Sequence, residues 1–222
     1  MHLKLTADQL LTTTRAVRKR LDLEKPVEPE VIRDCIDIAL QGPSGGNTQG
    51  WRFVVVFDAD KRAALADLYR KGWAQYKKAP GSVFDLRDRE SPGPGRQQMV
   101  RVARSADYLA DHLERVPVHV IPCIKGRVEG MSGPAANVGL ASIYGSILPA
   151  TWSFMLAARN RGLGTCWTTV HLMYEEIAAD LLGIPYAEVT QVALIPTAYS
   201  IGTEFQPAQR RPLDDVLHID GW

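Results

Sequence analysis

The chain has 222 residues, 45% hydrophobic and 23% charged, which is the balance of an ordinary globular protein with room for a substantial core. Its 26 lysines and arginines oppose 25 acidic residues, so the net charge of +1 gives no overall field that would recruit nucleic acid. Three widely spaced cysteines without a C-x-x-C pair argue against a disulfide framework and favour a reducing, cytoplasmic compartment. The five histidines show no paired spacing, so no metal site is predicted.

Apolar spacing and capping residues predict the elements of the first half of the chain. Two helices are predicted, over 6–20 and 29–41. A β-branched and aromatic run predicts a buried strand at 51–57, and a third helix follows at about 60–79. A loop of small and polar residues over 43–51 leads into the strand.

The middle of the chain begins with a segment rich in proline and glycine. Residues 80–96 mix these residues with charges, which predicts a long excursion that is either a mobile lid or a disordered loop. A helix over 97–114 and a strand over 116–125 are predicted next. Pro117 and Pro122 indicate an edge or bulged position for this strand, because proline cannot donate to a ladder.

The last part of the chain contains the longest predicted helix. The elements expected there are a helix at 136–161, a short strand at 165–170, a helix at about 174–182, a buried strand at 191–196 and an extended arm at about 199–222. Helices outnumber strands and do not alternate with them regularly. We therefore predict a single α+β domain, residues 1–222, built around a mixed sheet.

Residues 130–158 carry no charged side chain and are numerous enough to span a bilayer. Polar residues nevertheless interrupt the stretch, among them Asn137, Ser142 and Thr151. A helix that is uncharged all round is also typical of a protein core or a subunit interface. We therefore expect no membrane span, and a homodimer that buries this stretch.

Two common nucleotide-binding motifs do not occur in the sequence. There is no G-x-x-x-x-G-K-[ST] phosphate loop. Gly162 and Gly164 lack the third glycine of the dinucleotide fingerprint, and they follow a predicted helix rather than a strand. A nicotinamide cofactor would therefore bind only transiently.

The loop over 43–51 contains two side-chain amides, Asn47 and Gln49, among small residues that allow close approach to the backbone. An amide both donates and accepts, which suits a heterocycle whose edge alternates C=O and N–H groups. An ordinary polar connector is the other interpretation, and spacing alone favours it.

Five motifs follow one another along the chain: R-A-V-R at 15–18, P-V at 26–27, P-S-G-G-N-T-Q-G-W at 43–51, R-G-L-G-T-C-W at 161–167 and R-R-P-L at 210–213. Together they resemble the FMN-dependent nitroreductase family. The matches follow family order over nearly the whole chain. The resemblance implies a three-layer α/β/α sandwich and a homodimer with FMN at the subunit interface. It also implies NADH or NADPH as the transient hydride donor.

The first motif implies cations around the flavin. Arg15 would bind the phosphate or ribityl chain, and Ala16 stands where the family usually has serine. Arg18 would lie near the pyrimidine end of the ring in a catalytic position. Hydride arrival at N5 leaves negative charge at the N1 edge, and a fixed cation stabilises charge where it develops.

The resemblance also implies FMN contacts from the loop at 43–51 and from the long predicted helix. Pro43, Ser44, Gly45 and Asn47 match the family loop that packs on the ring and ribityl chain from the other subunit. Ser146 matches a further contact, which is often glutamine in the family.

Two later motifs complete the implied contacts. Trp167, Thr168 and Thr169 match the stretch beside N5, where a backbone N–H contacts the ring, and Thr169 is assigned a catalytic position. Arg210 and Arg211 match phosphate ligands, since guanidinium pairs bidentately with phosphate.

The implied activity is ping-pong hydride transfer from NAD(P)H through flavin N5 to a nitroaromatic, quinone or similar small acceptor. The same scaffold supports reductive dehalogenation and flavin fragmentation, because fold does not fix function. A protein that merely sequesters flavin, and a binding module without flavin, are the remaining alternatives.

Overall fold

The computed structural model describes residues 2–222, which fold into seven helices and a five-stranded sheet. The helices are α1 (Ala7–Thr13), α2 (Pro29–Ala39), α3 (Ala59–Tyr76), α4 (Val83–Arg89), α5 (Pro94–His112), α6 (Pro134–Asn160) and α7 (Glu175–Leu182). The strands are β1 (Trp51–Val56), β2 (Val118–Lys125), β3 (Leu163–Thr165), β4 (Val189–Gln191) and β5 (Ile195–Tyr199). The strand expected at 191–196 is thus divided between β4 and β5, and the one expected at 165–170 ends at Thr165.

The sheet has the order β1-β2-β5-β3, with β4 paired to β2 beyond the end of β5. Every strand pair is antiparallel. The prediction of a mixed sheet is therefore wrong for the pairing of these five strands. Among residues 2–222, parallel pairing is limited to single bridges, Ala16 with Thr165 and Gly126 with Val189.

Strand β2 lies at the centre of the sheet, so its predicted edge position is wrong. It pairs with β1 on one side, and on the other with β5 through residues 118–120 and with β4 through residues 123–125. The carbonyl of Pro122 accepts from the Val192 N–H at 3.0 Å on this second side. Pro122 has no N–H to return the second bond of this antiparallel pair, so the missing bond falls where β2 changes partner from β4 to β5.

Helices cover both faces of the sheet, as the predicted three-layer sandwich requires. One face packs against α3, α5 and α7 around Leu65, Leu109 and Ile121. The other face packs against α2 and α6 around Ile32 and Phe154. Alternate residues of β2 belong to the two cores, as the pleat of a strand dictates. The α+β class and the layer order are confirmed.

The first helix is shorter than predicted, because α1 ends at Thr13. It begins with a capping box between Thr6 and Gln9. The hydroxyls of residues 12–14 donate to carbonyls four residues back, and such β-branched residues favour a helix end. Residues 15–20 are therefore not helical. The Val17 N–H donates to the Thr165 carbonyl at 2.8 Å, which attaches this segment to the edge of β3.

The excursion at 80–96 contains helix α4, so the disordered-loop alternative is wrong for this part. Ser82 is buried and its hydroxyl accepts from the Asp85 N–H, which caps the helix. Phe84 packs edge-on against Trp73 of α3, with ring centroids 5.6 Å apart. Whether α4 moves as a lid stays a prediction.

Helix α6 is long and apolar enough to cross a membrane by length and composition. Its second half is largely buried against α2 and the sheet, as in the core helix of a soluble protein. Several of its exposed positions recur at helical spacing and form a stripe, at residues 138, 141, 145, 148 and 152. After β5, residues 203–212 are irregular, in agreement with the predicted arm.

Candidate functional site

Two cavities adjoin at Arg18, which lines both of them. The basic cavity has a volume of about 290 Å³ and is lined by residues 15–20, Ser105 and Phe205. The aromatic cavity, of about 220 Å³, lies between α3, α5 and the segment at 166–170. Larger grooves follow the outer face of α2 and the start of α5, but each is lined by a single short stretch of surface residues.

The basic cavity carries positive charge without acidic partners. Among residues 2–222, none of the four cations in the stretch 15–20 forms an ion pair. Arg18 Nη1 donates to Ser105 Oγ at a long 3.4 Å, and Arg15 Nη1 donates to the Gln206 carbonyl at 3.2 Å. Guanidinium groups held in this way suit a multivalent anion such as phosphate.

Arg20 has a different role from its neighbours. Its guanidinium donates to the carbonyls of Ile201 and Glu204, at 2.8 and 3.1 Å, and lies 4.3 Å from the Phe205 ring centroid. These contacts hold the beginning of the C-terminal arm on the protein. Arg20 therefore supports the wall of the basic cavity.

The aromatic cavity has a wall of stacked rings on α3. Tyr69, Trp73 and Tyr76 follow helical spacing, and successive centroids lie 6.2 and 5.1 Å apart. The Trp73 indole N–H donates to Asp107 at 3.0 Å, which fixes the ring. This wall is suited to stacking a flat ring.

Thr168 connects the aromatic wall to the sheet. Its N–H donates to the Leu194 carbonyl at 3.1 Å, and its hydroxyl donates to the Tyr69 oxygen at 3.2 Å. Burial raises the pKa of Tyr69 to about 12, so this phenol is neutral at physiological pH and keeps a proton to donate. Thr169 is exposed at the cavity mouth, and Trp167 is half-buried beside it.

Cys166 lies beneath these residues as a buried free thiol. Burial raises its pKa, which disfavours the reactive thiolate. The structure therefore agrees with the expectation of a small core residue.

The loop at 43–51 is attached to α6 and lines neither cavity. The Gly45 N–H donates to Ser146 Oγ, and the Trp51 indole N–H donates to the Ser146 carbonyl, both at 2.9 Å. Pro43 and Gly45 are exposed, and Ser44 is half-buried. The structure thus joins the predicted loop to Ser146 but not to Arg18 of the same chain.

Asn47 shows how the loop holds its shape. It has a φ of 52°, and Gln49 has a φ of 51°, so two non-glycine residues occupy the left-handed region. The Gln49 amide donates to Asn47 Oδ1 at 3.2 Å, and its N–H donates to Ser44 Oγ at 3.1 Å. These bonds stabilise a strained turn that presents Asn47 outward.

Arg210 and Arg211 are exposed in the C-terminal arm. Within the part of the chain that is described, neither forms a hydrogen bond or an ion pair with another residue, and neither lines the two cavities. Their predicted phosphate contact stays a prediction. Among residues 2–222, no three His, Cys, Asp or Glu side chains are grouped to hold a metal ion.

Sequence reasoning missed Tyr69, Ser105 and Phe205 as cavity residues. The aromatic spacing on α3 was a usable signal, but it equally fits a core stripe. Ser105 and Phe205 lie far from the motifs in sequence, and only the fold brings them to Arg18.

Comparison with known proteins decides the family. A family model described as the Nitroreductase family matches residues 11–199. The chain belongs to the Nitroreductase family. This confirms the family predicted from the ordered motifs, and the matched region includes both cavities except for Phe205.

This nitroreductase-family chain is similar to curated proteins with different activities. It is 28% identical to the nitrobenzene nitroreductase of Ectopseudomonas oleovorans over 194 residues, covering 80% of each chain. It is also 28% identical to iodotyrosine deiodinase 1 of Rattus norvegicus over 217 residues, covering 94% of this chain and 67% of the deiodinase.

The fold is shared with solved nitroreductases. A mutant of the FMN and NADPH-dependent nitroreductase NfnB from Sphigopyxis sp. strain HMH matches with a TM-score of 0.67 and 20% identity. The match covers 98% of this nitroreductase-family chain and 100% of that structure.

Proposed function

We propose that this protein is an FMN-dependent oxidoreductase that transfers hydride from NADH or NADPH to a small aromatic acceptor in a ping-pong cycle. One observation carries the proposal. Arg18 stands between a basic cavity and an aromatic cavity, the arrangement needed by a ligand with an anionic tail and a flat ring.

The donor set fits FMN. Arg15 and Lys19 line a cavity that lacks a carboxylate, so a phosphate finds positive charge there without competition. We assign Arg15 to the phosphate or ribityl chain and Arg18 to the pyrimidine edge. Arg210 and Arg211 would add phosphate contacts from the arm, whose first residues Arg20 holds beside the basic cavity. When bound, FMN supplies the hydride-accepting and hydride-donating chemistry.

The chain's own residues orient the reactants and stabilise charge. Arg18 provides a fixed positive group where reduction deposits negative charge. Trp167 and Thr169 line the aromatic cavity, and we assign them to the reacting face of the flavin. Tyr69 offers a neutral hydroxyl that is already positioned by Thr168. The stacked rings of α3 hold an acceptor flat and exclude water from it.

A second subunit completes the proposed site. The loop residues Pro43, Ser44, Gly45 and Asn47 are assigned to FMN, yet their loop is attached to α6 and lines neither cavity with Arg18. The exposed stripe on α6, which includes Val138 (73% exposed), is uncharged and suits contact with another copy. We therefore propose a homodimer in which each loop reaches the partner's flavin.

The proposed compartment is the cytoplasm. All three cysteines are buried free thiols, which agrees with a reducing environment. We assign α6 to the core and the dimer interface instead of a membrane.

Reductive dehalogenation is the second candidate reaction. The chain is as similar in identity to iodotyrosine deiodinase 1 as to nitrobenzene nitroreductase, and the deiodinase match covers more of this chain. Both reactions use a flat aromatic acceptor, which the wall of α3 can stack. Flavin fragmentation and flavin storage remain alternatives on the same scaffold.

The test is turnover of the purified protein with bound flavin. Denaturation should release FMN, and NAD(P)H oxidation should be stimulated by nitrobenzene. Tyr69→Phe should reduce this turnover more than Tyr108→Phe, a tyrosine on α5 that does not line the aromatic cavity. Turnover of iodotyrosine but not nitrobenzene would select the second candidate. Release of FAD, or no flavin after reconstitution, would contradict the cofactor assignment.

A further inference from the structure

Arg159, near the end of α6, is a buried arginine without an acidic partner. Only 4% of the surface of Arg159 is exposed to solvent. Nη2 donates to Thr13 Oγ1 at a long 3.4 Å, while Nε and Nη1 are buried and have no acceptor among residues 2–222. Buried guanidinium donors are costly unless they are paired. Burial lowers the pKa of Arg159, with the Arg20 charge as a second cause.

Arg159 lines a third cavity of about 290 Å³, here called the Arg159 cavity. Its other lining residues are Leu3, Lys4, Leu5, Gln9, Thr13 and the segment 203–206. Lys4 adds a second positive charge. Glu204 is the one carboxylate in this lining, and it is exposed and forms no ion pair with Arg159 in the described chain.

Local structure explains how the cavity is held open. The Leu3 N–H donates to the Asn160 carbonyl at 2.7 Å, which fixes the N-terminal segment beside the end of α6. Thr13 is fixed by its bond to the Gln9 carbonyl at 2.6 Å. Arg159 therefore lies beside an opening bordered by two secured segments.

Phe205 separates the Arg159 cavity from the basic cavity. Arg20 and Arg159 lie 4.3 and 4.8 Å from its ring centroid, and the ring lines both cavities. Contact with an aromatic ring stabilises a buried cation in part. It does not supply acceptors for Nε and Nη1, so these two donors stay without an acceptor among residues 2–222.

We propose that the Arg159 cavity binds a small-molecule oxyanion, either a carboxylate or a phosphate group. The planar fork of arginine matches both groups bidentately, and Lys4 adds a cation beside it. This site is separate from the one assigned to FMN, and the inference does not depend on flavin binding.

The experiment measures the unfolding temperature of the purified full-length protein in sodium phosphate and in sodium acetate. Sodium chloride keeps the ionic strength constant, because salt alone screens surface charge. A ligand at ten times its Kd should raise the Tm by roughly 3–6 °C. Comparison of the two anions identifies which oxyanion chemistry is preferred.

Arg159→Met should abolish this rise while leaving the Tm in chloride equal to or above that of the unaltered protein, since a buried unpaired charge has been removed. If that variant does not fold, Lys4→Met tests the same cavity, because Lys4 is an exposed residue of its lining. This variant should reduce the anion-induced rise in Tm several-fold. Arg15→Ala in the basic cavity is the comparison variant and should retain the part of the rise that Arg159→Met removes.

Two results would overturn the proposal. One is the absence of any rise with either anion in the unaltered protein. The other is a rise that Arg159→Met and Lys4→Met retain and Arg15→Ala removes, which would place the anion in the basic cavity.

Discussion

A Cβ atom placed on Gly72 would lie 2.6 Å from the carbonyl oxygen of Val170 and 2.9 Å from its Cγ1. Helix α3 therefore packs directly on the backbone that follows Thr169. This contact sets the distance between the stacked rings of α3 and residues 167–169, and so the width of the aromatic cavity.

Gly72→Ala is expected to destabilise the protein although alanine is the better helix former. The methyl group meets backbone, which cannot rotate away, so we expect a loss of about 1–3 kcal/mol in the free energy of unfolding. Denaturant unfolding measures this loss. Gly221→Ala adds the same methyl at an exposed position where nothing lies within 4 Å and should be nearly neutral. Equal stability of the two variants would contradict the close packing.

Arg18 and Arg210 are predicted to contribute to different steps. Arg210 is assigned to a phosphate whose charge does not change in turnover, so Arg210→Ala should weaken FMN binding by about 1.5–3 kcal/mol. Activity should return with excess FMN, because uniform binding does not alter the chemical step. Arg18→Ala should instead lower the flavin midpoint potential and slow its reduction when the site is full.

Redox titration and stopped-flow reduction of both FMN-saturated variants distinguish these roles. An unchanged potential in Arg18→Ala together with a shifted one in Arg210→Ala would show that the roles are reversed. Lys61→Ala, on the distant start of α3, is a control for the loss of one positive charge.

Two buried histidines should make the fold sensitive to acid. Burial lowers the pKa of His119 to about 4 and that of His171 to about 3, from an ordinary value of 6.5. Both folded values lie below the unfolded one, so their contribution to stability is present above about pH 6.5 and is lost as the pH falls toward 4 and 3.

The expected loss for the pair is about 2–3 kcal/mol between pH 6.5 and 5. Urea unfolding at a series of pH values measures it. His171→Leu should remove about half of this dependence, while His218→Asn in the exposed arm is the control. A pH dependence that is identical in His171→Leu and the unaltered protein would contradict the assignment.

We predict that one charged substitution in the exposed stripe of α6 will dissociate the dimer. Trp152 and Leu148 are 38% and 36% exposed on that stripe. Trp152→Glu should yield a monomer that binds flavin weakly, because the loop at 43–51 would no longer reach the partner. Light scattering and flavin content measure both effects. Ile177→Glu, an equally apolar exposed position on α7 (54% exposed), should leave the dimer intact.

Sequence motifs mark local chemistry, and the roles that they assign to site residues stay predictions. Arg18 and residues 167–169 were assigned to one ligand, and they line one cavity. The stretch 15–20 was predicted as helix, since its local pattern could not reveal that Val17 pairs with Thr165. The sequence also could not predict that Pro122 lies in a central strand, because this depends on where β2 changes partner.

Reduction of the bound flavin by a nicotinamide donor tests the central claim most directly. The purified protein reconstituted with FMN is titrated anaerobically with NADH and, separately, with NADPH while the visible flavin absorbance is recorded. We predict loss of that absorbance with one equivalent of at least one donor, and its return when nitrobenzene or iodotyrosine is added. Bound flavin that neither donor reduces would contradict an oxidoreductase and indicate a protein that stores flavin.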